Sequence, residues 1–263
     1  MNAKKYLWVL ISLLFLVALC MIFLFHLKSD TIKKGDYIGI KASGMLRVVM
    51  EYNASDYYVS GDSITGAQYE LCKFISRKSG LELNISFENN LEASITKLLN
   101  KEVDIISQSI PITAGYKEVM AFTTPIKQSK QVLVQRKKAS KNDSSHINSQ
   151  IQLAHKTIYL PQGSPTKLRI KNLSEEIAEP IYVKEIDHYS QEHILYMVAF
   201  GDIDYAVVDY EIASKNRNKF PEIDMNIDIS FSQLQAWAVR KESPILLDSL
   251  NVWISEYQSL SLR

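Results

Sequence analysis

Apolar residues return along this chain in two alternating rhythms, short continuous runs and helical spacings. The Val-rich run 46–50 predicts a buried strand, and a polar, Tyr-rich loop follows it as far as Ser63. Ala67, Leu71, Phe74 and Ile75 then fall at i, i+4, i+7 and i+8, one face of a helix that Gly80 ends. Alternation over 81–87 predicts a second strand, Leu91, Ile95, Leu98 and Leu99 a second helix, and the run 103–106 a third strand. That order belongs to a parallel sheet with helices on its faces.

A second cycle follows. Residues 131–135 predict a strand, and the polar stretch 136–150 a surface loop. The strand 157–160 ends at Pro161, Gln162, Gly163 and Ser164. A helix over 166–173, a strand over 181–183, a helix marked by Ile194, Leu195 and Val198, and a buried strand over 205–208 come next. Residues 235–239 give one more strand, and 245–257 a closing helix with Leu246, Leu250, Trp253 and Ile254 on one face. The expectation is a two-lobed α/β fold with two hinge crossings and a cleft between the lobes. Lobe 1 takes residues 45–130 and 236–263; lobe 2, with its hinge strands, takes 131–235.

Ahead of this lies an uncharged apolar run, residues 6–25, long enough as a helix to cross a bilayer core of about 30 Å. It predicts one N-terminal transmembrane helix within an anchor over 1–27, followed by a polar tether over 28–44. Lys4 and Lys5 precede the run, so the short N-terminus faces the cytoplasm. The expected location is therefore the cell inner membrane, single-pass, with the globular domain in the periplasm. A cleaved signal peptide is the competing reading, but the run exceeds the usual hydrophobic region of one and no small-x-small site follows it. Cys20 lies inside the run and Cys72 inside a helical pattern, so no disulfide between them is expected.

Composition narrows the partners. The 263 residues are 46% hydrophobic and 22% charged, enough for a substantial core, and the formal net charge is +1. No basic excess points to nucleic acid, so the expected partner is a small molecule held in a site. The chain has no GxSxG elbow, Walker A loop, HExxH or CxxC, and His188 and His193 are spaced off a common helical face. Neither catalysis, a cofactor nor a metal is expected.

The segment ITAGYKEVMAFTTPI at 112–126 resembles the part that closes the first lobe of the family 3 bacterial extracellular solute-binding proteins, which have the type 2 periplasmic-binding-protein fold. GAQYEL at 66–71 sits where that family has a glycine opening its first helix, Gly163 with Ser164 at the start of its second lobe, and GDIDYAVVD at 201–209 and QAWAVRKESP at 235–244 match its later blocks in order, so the likeness runs from about residue 45 to 257. QVLVQRK at the first crossing is most similar to the N-terminal ligand-binding domain of membrane-bound lytic transglycosylase F. The resemblance implies capture of a small polar ligand for transport or sensing, with a membrane transporter or a cell-wall enzyme as protein partner. It also implies an arginine, in relatives that bind amino acids, where this chain has Tyr116, and a threonine where it has Pro111. A phenol lacks the fork that pairs with a carboxylate, so a plain amino acid becomes one candidate among several. The sequence closes on Ser261, Leu262 and Arg263, and no transglycosylase domain is expected within it.

Seven residues are candidates for ligand contact. Asp209 ends a buried strand, where the resemblance implies a partner for a ligand ammonium; a cap for the next helix is the equal alternative. Gly163 and Ser164 precede a helix and present N–H and hydroxyl donors. Tyr52 follows the first strand and offers a ring at the cleft rim. Ser107 and Ser109 share one face of the third strand, and Tyr116 occupies the arginine position. Trp237 is expected in the hinge core.

Overall fold

A computed structural model describes residues 13–22, 36–53, 55–138, 140 and 144–261. Helix α1 (13–22) is the described part of the apolar run, with every residue exposed; the remainder of the anchor lies outside the described residues. No described helix is long and apolar enough to cross a membrane.

The polar segment expected to be a tether is folded over its last part. Helix α2 (Tyr37–Ser43) docks on the closing helix, with Ile40 buried and the Tyr37 and Trp253 rings 5.7 Å apart. Asp36 explains this placement. Its carboxylate accepts from Tyr37 N at 2.7 Å and, across the chain, from Ile245 N at 2.9 Å and Leu246 N at 2.8 Å. One buried anion thus caps two helices, satisfying donors that both would otherwise leave unpaired. The spacing of apolar residues carries no trace of a cap made across 200-odd positions of sequence.

The first cycle forms β1 (Met45–Met50), the hairpin β2 (Tyr58–Ser60) and β3 (Ser63–Thr65), α3 (Ala67–Ser79), β4 (Glu82–Phe87), α4 (Leu91–Leu99), β5 (Ile105–Pro111), α5 (Ala114–Val119), β6 (Ala121–Phe122) and β7 (Lys127–Ser129). The second forms β8 (Gln131–Arg136), a short 3-10 turn over Gln150–Leu153, β9 (Thr157–Pro161), α6 (Thr166–Glu176), β10 (Tyr182–Ile186), α7 (Gln191–Phe200), β11 (Ala206–Asp209), α8 (Tyr210–Asn216) and β12 (Ile223–Asp228). The chain then returns through β13 (Gln233–Val239) and ends on α9 (Pro244–Ser261).

Each lobe has its own sheet. The first runs β4-β1-β5-β13-β6, with β7 also on β13; the second runs β10-β9-β11-β8-β12. Strands β1, β4 and β5 are mutually parallel, as are β9, β10 and β11, which is the arrangement the sequence predicts. Strands β8 and β13, one arriving in each lobe by a crossing, lie antiparallel to their neighbours. Both sheets are therefore mixed, each with a three-strand parallel part, and the C-terminal ends of those parallel strands open onto the space between the lobes, where ligands of such sheets bind.

Buried apolar clusters flank both sheets. In lobe 1, Val48, Met50 and Ile105 pack with Leu71 and Ile75 of α3 and Leu246, Leu250 and Ile254 of α9. Trp237 is fully buried in this cluster, as expected of a hinge-core residue, and its indole Nε1 donates to Gln68 Oε1. Cys72 is buried here too, and burial pushes its thiol up to about 12, which leaves it unreactive.

Candidate ligand-binding site

Five parallel strands deliver the site by ending together. After β1 come Glu51 and Tyr52; β5 ends on Ser109 and Pro111; β9 runs out at Gln162 and Gly163; β10 leads to Asp187; and β11 ends on Asp209. The crossings add Lys127, Gln131 and Gln235 from below.

These residues line two chambers. The inner one, about 40 Å³, is bounded by Glu51, Asp56, Ser109, Lys127, Asp209 and Gln235 among others, drawn from both lobes and the crossings. The outer one, about 480 Å³, lies at the rim between Tyr52, Phe87, Asn89 and Asn90 of lobe 1 and Gln162, Asp187, His188 and Tyr189 of lobe 2. Tyr52 stands edge-on to Phe87, with centroids 5.9 Å apart, and Tyr57 supports Phe87 at 4.6 Å.

Asp209 is 4% exposed, and both of its oxygens accept hydrogen bonds. Its Oδ1 accepts from Ser129 Oγ at 2.7 Å and from Glu211 N at 3.0 Å, and its Oδ2 from Gln235 Nε2 at 3.0 Å. The carboxylate therefore caps α8 and faces the inner chamber at once, held by one residue from each crossing. Lys127 spans the lobes to Glu211 at 2.8 Å. Burial acts to lower its pKa, but Asp209, Glu211 and Asp56 outweigh that and hold it raised and charged.

Glu51 was not foreseen and is the most perturbed acid of the site. Burial first, then Asp56 and Asp209, push its carboxyl up to about 8, against the opposing pull of Asn53 and Lys127. Part of the side chain still meets solvent, which softens the effect without reversing it. An acid raised in the folded state binds an extra proton there, so stability falls as pH climbs from the ordinary carboxylate range through about 8. Glu51→Gln removes that slope. Thermal melts of the ligand-free protein are expected to match at pH 5 and to favour the variant at pH 9; parallel curves at both values would leave Glu51 an ordinary acid.

Gly163 marks where the lobes meet. Its φ is +70°, and a Cβ there would lie 2.2 Å from Asn90 Oδ1. That oxygen caps α4 by accepting from Glu92 N at 2.9 Å and Ala93 N at 3.2 Å, so it is not free to swing away. Ser164 begins the turn into α6, its hydroxyl accepting from Thr166 N at 3.3 Å.

Of the residues the sequence singled out, Ser109 and Asp209 line the inner chamber, Tyr52 lines the outer one, Gly163 sits at the lobe contact against Asn90, and Ser164 lines neither chamber. Ser107 is fully buried, its hydroxyl donating to Val49 O at 3.4 Å. Tyr116 packs on the apolar cluster around Ile106, Ile110 and Met120 and lines neither chamber. Glu51, Asp56, Lys127 and Gln235 were missed. A signal for two of them, Glu51 and Gln235, existed: polar residues directly after, or at the margin of, apolar strand runs, the same signal that singled out Asp209.

The model of the bacterial extracellular solute-binding proteins, family 3, matches residues 46–259. The membrane-bound lytic murein transglycosylase F of Desulfosudis oleivorans is 27% identical over 82% of this chain and 46% of its own length, and that of Methylobacillus flagellatus is 26% identical over 74% and 41%. The chain thus spans less than half the length of these curated relatives. Among solved structures, the arginine-bound form of a truncated ArgBP from T. maritima superposes with a TM-score of 0.70 at 26% identity, covering 83% of this chain and 99% of that one.

Proposed function

Since the chain belongs to the family 3 bacterial extracellular solute-binding proteins, we propose that it captures a small polar ligand between its lobes for transport or sensing and performs no catalysis. An amino acid, a peptide or a cell-wall fragment fits that description. In this reading the N-terminal apolar segment holds the domain on the periplasmic side of the inner membrane, and a transporter or a cell-wall enzyme reads the closed form. The observation that carries the proposal is the inner chamber, to which both lobes and both crossings contribute side chains, so that a ligand there is complete only when the hinge is closed.

Binding to the folded state alone stabilises it by mass action, about 2.7 kcal/mol at one hundred times Kd. A thermal-shift screen of amino acids, peptides, amines, sugars and muropeptides should therefore find a compound that raises Tm by roughly 5–10 °C. A screen at millimolar levels in which nothing moves Tm would defeat the proposal.

A second reading is favoured by the names of the curated relatives: a non-catalytic regulatory domain that acts through a cell-wall enzyme. Zymography of the pure chain is expected to show no lysis, with a cell-wall hydrolase recovered in pull-downs from membranes. Lysis by the chain alone would overturn both readings.

A further inference from the structure

The inner chamber is rich in acidic groups and poor in cations. Four carboxylates, Glu51, Asp56, Asp209 and Glu211, face a single cation among the described lining residues, Lys127, and that ammonium is already paired with Glu211. Two further lining residues, Pro111 and Pro165, have no N–H to offer an anion. Tyr116 packs on the apolar cluster of lobe 1 and does not line the chamber.

Independent of these charges is Gln235. It is 2% exposed, and its Nε2 donates to Asp209, which fixes the orientation of the amide. Its Oε1 is left buried in the chamber wall with no hydrogen-bond partner among the described residues. An orphaned acceptor at such a place is costly unless a donor arrives from the ligand. A metal ion is a poorer match than an N–H donor, because no three acidic, His or Cys side chains among the described residues are grouped to hold one.

Resting on the capture reading above, we infer that the chamber selects a primary-amine cation bearing no carboxylate, with an alkyl diamine as the simplest such ligand. Its ammonium donates to the carboxylates of Glu51 and Asp209 and to Oε1 of Gln235. The volume, about 40 Å³, is room for about three waters and suits an ammonium end better than a whole amino acid. Arrival of that charge also drives the proton from Glu51, whose carboxyl is otherwise kept protonated near neutral pH by burial and its acidic neighbours.

Matched pairs differing only in the carboxylate test this. By calorimetry at pH 7, 1,4-diaminobutane should bind at least tenfold more tightly than ornithine, and agmatine at least tenfold more tightly than arginine. Titration in two buffers of different ionisation enthalpy should show release of a fraction of a proton up to one per diamine bound. Glu51→Gln should abolish that release and weaken the diamine more than tenfold, with an unchanged circular dichroism spectrum. If ornithine or arginine binds as well as its decarboxylated partner, capture stands and this inference falls. Calcium binding more tightly than either diamine would also overturn it, and no binding by any compound would remove both the inference and the reading beneath it.

Discussion

Asp104→Ala is expected to cost lobe 1 about 3–5 kcal/mol, the range for breaking a buried ion pair by removing one partner. Asp104 is fully buried at the start of β5 and accepts from Arg47 N at 3.1 Å, Arg47 Nε at 3.0 Å, an Arg47 terminal nitrogen at 2.8 Å and an Arg240 terminal nitrogen at 3.0 Å. Arg240 is itself 3% exposed and donates to the carbonyls of Leu98 and Val103. Loss of the carboxylate takes from the buried Arg240 guanidinium the anion it is paired with at 3.0 Å. A fall in Tm of roughly 10 °C follows, read by calorimetry. The double variant Asp104→Ala, Arg240→Met should recover part of that loss, because it removes the buried charge as well. A double variant less stable than the single would show that packing, not charge, dominates at this site.

Gly163→Ala is expected to act on closure. A Cβ meets Asn90 Oδ1 at 2.2 Å, an oxygen already committed to the first turn of α4, and the backbone at φ +70° favours glycine. Within lobe 2 the change strains one turn; between the lobes it inserts a methyl group into the contact that closure makes. The hinge equilibrium then moves toward the open form, and apparent affinity falls in proportion to the closed population, by more than tenfold. Ligand titration against the variant, alongside its unliganded Tm, separates the two effects. Unchanged affinity would remove this contact from the closing surface.

Much of the scaffold was legible because burial imposes period on sequence. The Val-rich run became β1, the i, i+4, i+7, i+8 set became α3, and the apolar run before Asp209 became β11. What stayed hidden was made by long-range partners. Helix α2 is too short to show a full apolar stripe and depends on Asp36 meeting α9. Strand β12 mixes Asp, Asn and Ile as an edge strand does, and its bulge against β8 breaks the alternation that would have revealed it. The hairpin of β2 and β3 is hidden in the Tyr-rich segment for a similar reason, with both strands largely exposed.

The site was legible at strand ends and illegible elsewhere. Asp209 stood out because a charge follows four apolar residues at a sheet's C-terminal edge, and Glu51 follows β1 in the same way. Asp56 and Lys127 gave no such signal, since their roles depend on how the two lobes meet. Tyr116 stood out only against the resemblance, and its packing on Met120 and Ile110 reflects an apolar demand that the ring satisfies. Gln131 and Gln235, both buried, one opening β8 and the other directly before the apolar part of β13, carry polar atoms that only the crossing geometry makes useful.

Closure on a ligand is the claim on which the rest depends, and the distance between the lobes measures it. Dyes placed at Asp62→Cys on lobe 1 and Lys171→Cys on lobe 2, with Cys20→Ser to leave one reactive pair, report that distance by single-molecule energy transfer while buried Cys72 stays silent. The account predicts two populations whose balance moves toward the shorter distance, saturably, as a compound that raises Tm is added. A compound that raises Tm but leaves the distance distribution unchanged would contradict it.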